Sequence, residues 1–213
     1  MFTHRLLKEI DLRAIQALQQ EVCDALEDPN ILQPLSEEEL KHILQGSGVM
    51  LGVFVDERLV AFRALLKPKA DEEEHLGQDV GAVDLSRVLY QEISNVHPRF
   101  RGQGLQKLMA GWVMEEVNVT HIDWVCATVM PYNIASLKDK FAQGMYVYAL
   151  KFKYGGKLRY VFGKNLHADH QLGDEQVAIS MGDTKGQQQL LAEGFVGTSM
   201  ESAEGDWIVV YRR

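Results

Sequence analysis

Val96-His97-Pro98-Arg99-Phe100-Arg101-Gly102-Gln103-Gly104-Leu105 joins a β-forming run to a helix-forming one, and its composition decides how the chain is read. Behind it, Arg87 to Val96 has the content of a strand; ahead of it, Leu105, Leu108, Met109, Trp112 and Val113 recur on one helical face. A strand that turns directly into a helix leaves unbonded N–H groups at the positive helix end, where an anion is stabilised. Gly102 and Gly104 lack Cβ atoms, so the backbone there can curl around a phosphate, and Arg99 and Arg101 add charge that reaches its oxygens. No Gly-Lys-Ser/Thr follows, which sets aside a P-loop, and the three-glycine dinucleotide turn does not fit either.

Working outward, apolar Leu12, Ile15, Leu18, Val22 and Leu26 predict a helix over 11–26. Ser36-Glu37-Glu38-Glu39 is a capping box for a second helix that ends near Gly46. Val49–Val55 and Leu59–Leu66 read as a hairpin turned at Asp56-Glu57-Arg58, and 67–84, with Pro68 and two glycines, as a long loop. Beyond the quoted stretch follow a strand over 123–130, a helix over 133–143, and a hairpin around Gly155-Gly156. After Asn165 the texture changes: Asp183 caps a helix, Gly194 stops it, and Trp207–Tyr211 forms a last strand. Phe141-Ala142-Gln143-Gly144-Met145 and Leu191-Ala192-Glu193-Gly194-Phe195 share one form, but two instances carry little weight as a repeat. The expected organisation is a domain over 1–164 and a C-terminal appendage over 165–213 packed on it. The fold class is α/β: a mixed, mostly antiparallel central sheet flanked by helices, one parallel pair flanking the ligand, and a small α/β appendage.

A net charge of -8 and the absence of a basic face argue against nucleic acid and favour a cationic substrate. Cys23 and Cys126 stand far apart, which excludes a disulfide framework and a thiolate zinc site and leaves buried thiols. No apolar run approaches the roughly 20 residues of a membrane span, so a cytoplasmic protein with no membrane partner is expected. Trp112, Trp124 and Trp207 read as core. His167-Ala168-Asp169-His170 brings two imidazoles and a carboxylate together in sequence but lacks helical spacing and a fourth ligand, so no metal is expected. The run Asp71 to Glu74 reads as solvated, with attraction of a cationic amine as the lesser reading.

The quoted stretch resembles the acetyl-CoA motif of the GNAT superfamily, Arg/Gln-x-x-Gly-x-Gly/Ala between a strand and a helix, matched at Arg99, Gly102 and Gly104. Met130-Pro131-Tyr132-Asn133 through Ser136 to Gly144-Met145 resembles the family's next motif. The likeness runs over about 1–164 in element order, with motif matches from Ser94 to Met145. It implies acetyl-CoA as cosubstrate and no metal, with Arg99, Arg101, Gly102, Gln103, Gly104 and Leu105 around the diphosphate. It implies also that Asn95, Val96 and His97 pair with the pantetheine arm, and that Asn133 hydrogen-bonds that arm or simply caps its helix. The implied reaction is acetyl transfer to a primary amine of a small molecule or protein, by direct attack in a ternary complex.

An alkylammonium with a pKa of about 10.4 must lose a proton before it attacks a thioester. By the period of two, Tyr90, Glu92, Ser94 and Val96 share a strand face, which makes Glu92 the candidate base, a solvated residue or a partner of Arg87 otherwise; Tyr90 acting through water is second. Where the family often carries a tyrosine, four residues before the helix-ending glycine, this chain has Lys140. That departure puts the usual acid in doubt: Lys140 is a candidate donor or phosphate contact, a surface lysine otherwise, and Tyr132 or Tyr146 could replace the phenol. The rival class is an acyl-CoA sensor or partner-binding module without efficient catalysis; an alcohol acceptor or a longer acyl donor also fits. The residues do not fix the oligomeric state, and a homodimer is compatible with them.

Overall fold

The computed structural model describes residues 1–203 and 205–213. In chain order the elements are β1 (Thr3–Leu6), α1 (Leu12–Asp24), α2 (Glu37–His42), β2 (Gly48–Val55), β3 (Arg58–Leu66), α3 (Leu76–Asp79), β4 (Val88–Val96), α4 (Leu105–Glu115), β5 (Trp124–Val129), α5 (Ile134–Ala142), β6 (Tyr146–Lys153), β7 (Lys157–Asn165), β8 (Gln176–Ser180), α6 (Thr184–Ala192), β9 (Val196–Ala203) and β10 (Asp206–Arg212). They fall into two units: Met1–Pro68 with Leu89–His121, and Lys69–Val88 with Ile122–Arg213.

The first unit is an antiparallel sheet in the order β1-β2-β3-β4. α1 buries Ile15, Leu18 and Val22, and α2 buries Leu40, against Met50, Phe62, Ala64 and Ile93. Each such aliphatic side chain contributes about 1.5–3 kcal/mol of transfer free energy. Leu59 to Leu65 are buried at consecutive positions, which a strand shows only when both faces are covered; α4 packs on β2 and β3 and supplies the other cover. Of the face expected on α4, Leu105, Met109 and Val113 are buried and Leu108 is exposed, while Trp112 is half-buried and stacks on His4 at 4.1 Å. The Ser36/Glu39 capping box is present as read. The hairpin turns on Asp56 and Glu57, both with positive φ.

β4 departs from a regular period. Leu66 faces Tyr90 and Leu65 faces Gln91, but Ala64 faces Ile93, so Glu92 is the extra residue of a β-bulge. Cross-strand partners share a face, so Tyr90 lies with Ile93 and Asn95, and Gln91 with Ser94 and Val96. The expected common face of Tyr90, Ser94 and Val96 is therefore corrected: one inserted residue inverts the alternation.

The second unit is antiparallel throughout, in the order β5-β7-β6-β9-β10-β8. α5 and α6 cover one face, with Phe141 against Phe162 and Gln187 bonded to Tyr160. The segment 69–88 covers the other, and Val80 sits where a Cβ on Gly163 would point. This segment is not all loop, because Leu76–Asp79 makes a helical turn too short to show a period.

The unit is built twice from one pattern. Asn133 and Asp183 cap α5 and α6 by accepting the N–H of Ser136 and Gly186, at 3.3 and 2.9 Å. Both helices end on a left-handed glycine, Gly144 and Gly194, and the next residue donates back, Met145 to the carbonyl of Lys140 and Phe195 to that of Leu190. A hairpin follows each. The strand order reads the same from either end, and the halves meet where Val147 of β6 faces Gly197 of β9. α5 packs on β9 and α6 on β6. The segment after Asn165 thus repeats β5-α5-β6-β7 about a pseudo-twofold axis, a relationship the sequence reading had weighted too lightly.

Candidate functional site

His97 anchors the turn after β4. Its N–H donates to the carbonyl of Val60 at 2.9 Å, and its Nδ1 accepts the N–H of Arg99 at 3.1 Å. Its Nε2 lies 3.2 Å from Glu21 and 3.2 Å from the Arg58 guanidinium, which is itself bonded to Glu21 at 2.9 Å. Phe100 closes edge-on over the imidazole and Phe2 over Phe100. The base of the turn is thus fixed while Arg99, Arg101, Gly102, Gln103 and Gly104 remain exposed.

Gly102 and Gly104 have φ of 76° and 75°, and a Cβ on either would meet nothing within 4 Å. Conformation rather than crowding calls for glycine here, and the space around both is open. Among the described residues, the N–H groups of Gly102, Gln103, Gly104, Leu105, Gln106 and Lys107 have no acceptor; the first bond into α4 runs from Leu108 to Gly104. Nor does either guanidinium, of Arg99 or Arg101, have a carboxylate partner among them. In a chain with 30 acidic residues, this turn keeps two arginines and a helix end uncommitted, the kind of donor set that stabilises an anion.

Asn95 is 1% exposed, yet neither its Oδ1 nor its Nδ2 has a hydrogen-bond partner, and Val96 beside it is buried. Tyr90 is buried and Glu92 half-buried at the bulge. Arg87, the alternative partner considered for Glu92, grips Asp123 with two bonds of 2.7 Å.

In the second unit, Asn133 is a helix cap as read. Lys140 is not a surface lysine: it is 7% exposed and pairs with buried Asp139 at 2.9 Å. Tyr132, with φ of 65°, donates its hydroxyl to Asp206 at 3.2 Å, and Tyr146 packs edge-on against His170. His167 reaches the Ile122 carbonyl while His170 lies against Tyr148, so the imidazoles diverge; no metal-binding group occurs among the described residues. Cys126 is buried and Cys23 half-buried, and the three tryptophans are half-buried. No helix among the described residues is long and apolar enough to cross a membrane.

Thr128, Tyr154 and Arg159 were not singled out from sequence. Thr128 Oγ1 lies 3.4 Å from the hydroxyl of Tyr154, which has φ of 51° in the Gly155-Gly156 hairpin. Arg159 is 5% exposed. The only signal available was the double glycine, which marks a close turn but not what surrounds it.

Neither the family models nor the curated proteins gave a match to this sequence. The solved structures did. An acetyltransferase of GNAT family from Streptococcus pneumoniae superposes with a TM-score of 0.59 at 15% identity, over 78% of this chain and 100% of its own. The chain has the GNAT fold. Arabidopsis thaliana NAA60 in complex with acetyl-CoA gives 0.59 at 17% identity, over 79% of this chain and 100% of that one. Salmonella typhimurium yncA, solved with its cofactor acetyl-CoA, gives 0.57 at 15% identity, over 82% and 98%. The mostly antiparallel α/β architecture of the GNAT fold is the one expected from the order of elements.

Proposed function

We propose that the chain is an acetyl-CoA-dependent acetyltransferase of the GNAT superfamily that acts on a primary amine. The observation that carries this reading is the turn 99–104: left-handed Gly102 and Gly104, the unbonded amides that lead into α4, and the unpaired Arg99 and Arg101. The donor set and the open space beside both glycines suit a diphosphate. Gln103 and Leu105 contribute amides, His97 holds the turn in shape, and Asn95 and Val96 offer polar groups to the pantetheine amides; the unpartnered side-chain amide of Asn95 supports its part.

When bound, the cosubstrate supplies an acyl thioester whose thiolate, with a thiol pKa of about 8.5 on the side-chain scale, departs without strong acid assistance. Glu92 at the bulge is the proposed base, or Tyr90 through a water. A bulge turns one side chain out of the regular alternation, as active-site strands often do. Lys140 takes no direct proton-transfer role while it is committed to Asp139. That replacement of the family's phenol favours a second reading, an acyl-CoA-binding protein without turnover.

Calorimetry with CoA tests the site, and release of CoA thiol with a panel of amines tests turnover. Heat with CoA that disappears in Gly104→Val, together with amine-dependent thiol release slowed by Glu92→Gln, is the expected result. Binding without turnover on any amine selects the second reading, and no binding by folded protein removes both.

A further inference from the structure

The second unit holds a cavity of about 160 Å³ lined by its own residues. Much of the wall is aromatic: Trp124 at the start of β5, and Tyr146 and Tyr148 on β6. Asp169 and His170, from the stretch that joins the two copies, line it as well. β7 lies between β5 and β6, so these rings meet across a strand. Two local features allow this. Val147 faces Phe162 and Ala149 faces Val161, which makes Tyr148 the extra residue of a β-bulge and frees it from the alternation. Gly163 stands opposite Tyr146, and a Cβ there would lie 3.2 Å from Cδ2 of Tyr148, so the glycine leaves that ring room over β7.

The duplicated half provides an internal control. Tyr146 faces Gly163 as Val196 faces Arg212, so Tyr146 and Tyr148 correspond to Val196 and Thr198. Thr198 is again the extra residue, since Gly197 faces Tyr211 and Ser199 faces Val210. Cys126 faces Gly163 as Gln176 faces Arg212, and two residues earlier Trp124 corresponds to Asp174. The same backbone therefore folds with no ring at any of the three positions. Lys164, which also lines the cavity, does have a counterpart. Its ammonium donates to the carbonyl of Gln143 at 2.9 Å, and Arg213 donates to that of Glu193 at 3.0 Å. That cation closes a helix end in both copies, whereas the rings belong to the first alone.

Ring geometry and charge define the ligand. Tyr148 meets Trp124 at 86° with centroids 5.6 Å apart, and meets His170 at 83° and 5.8 Å; Tyr146 meets His170 at 69°. A planar base slides between parallel faces, whereas rings set across one another enclose a compact group. The Tyr148 hydroxyl lies 3.3 Å from Nδ1 of His170, which ties the joining stretch to the wall. Asp169 has neither a hydrogen bond nor an ion pair among the described residues, so the wall includes one uncommitted carboxylate. That charge opposes an anion. A primary ammonium would need acceptors for three N–H groups, which aromatic faces supply poorly. A quaternary ammonium needs none, and its charge is attracted by those faces.

We propose that the cavity binds the quaternary ammonium group of a small molecule, with Trp124, Tyr146 and Tyr148 against its methyl groups and Asp169 as its counter-charge. The site is independent of the acetyltransferase reading.

Choline and its uncharged isostere, with carbon in place of nitrogen, share a shape and differ in charge, so they test this on the native protein. Choline at millimolar concentration should raise the melting temperature; the isostere and ammonium chloride at the same concentration should not. In NMR titrations, Tyr146→Val or Trp124→Leu should weaken choline binding about 5- to 30-fold, and Asp169→Asn, at an exposed position, about 3- to 10-fold. Equal shifts with choline and the isostere overturn the cation assignment. Choline binding unchanged in both ring variants overturns the site, as does no binding by folded native protein. Binding to phosphatidylcholine vesicles without binding of free choline overturns the small-molecule assignment. Should the ring variants not fold, Asp169→Asn decides: an unchanged choline affinity with it refutes the proposal.

Discussion

Val147 and Gly197 face each other across the antiparallel contact of β6 and β9, at equivalent positions of two β-α-β-β copies. A twofold axis between copies requires such self-matching, as in an isologous dimer interface. A Cβ on Gly197 would lie 2.9 Å from the Cβ of Val147.

Gly197→Ala should therefore destabilise the protein by about 1–3 kcal/mol through overpacking. Val147→Gly in the same chain removes the Cβ that would be struck, so the double variant should lose less than the sum of the two single losses. Urea unfolding of both single variants and the double gives the coupling directly. Additive losses would show that the two positions do not touch.

Gln187 is fully buried in α6, and its Oε1 accepts the hydroxyls of Tyr160 at 2.6 Å and Tyr211 at 2.9 Å. Gln187→Leu strands two buried hydroxyls and should cost roughly 2 kcal/mol or more. Tyr160→Phe and Tyr211→Phe added to it should restore most of the stability, because the matching position in α5 is already Leu137. Thermal melts of the single and triple variants measure this.

Asp123 is held below the usual carboxylate range, first by the hydrogen bonds from Arg87 and opposed by desolvation. A depressed carboxyl stabilises the fold above its unfolded pKa of about 3.9, and that contribution is lost as pH falls through the lowered folded value. Arg87→Gln should thus lower the urea midpoint at pH 6, and the gap from native protein should close as the pH approaches 2. A gap that is constant with pH would assign the loss to packing.

Gly104→Ala places a side chain at φ 75° where nothing crowds it, so strain of about 1 kcal/mol is the expected cost. Its effect on CoA affinity should exceed its effect on melting temperature, since the reshaped turn misaims the amides. Calorimetry beside a thermal melt separates the two.

How much was legible follows from what each feature depends on. The Ser36/Glu39 box, the Gly144 and Gly194 stops and the turn 99–104 are set by neighbours in the chain, and they were read correctly. β8 and β9 are not legible because Gln176–Ser180 and Val196–Ala203 are for the most part only partly buried and lack an apolar rhythm. β1, Thr3–Leu6, is wholly exposed. The bulge at Glu92 depends on the register with β3, which no period of two contains. Arg159 looked like any strand arginine, because its burial depends on distant chain, the segment 69–88 laid over the same face.

Two copies that would otherwise have to find one another in solution are joined here by the short stretch between Asn165 and Gln176. Their meeting is first-order, at a local concentration set by that tether and on the order of millimolar. A separate pair of chains would come apart on dilution, whereas this joint holds at any abundance the cell maintains.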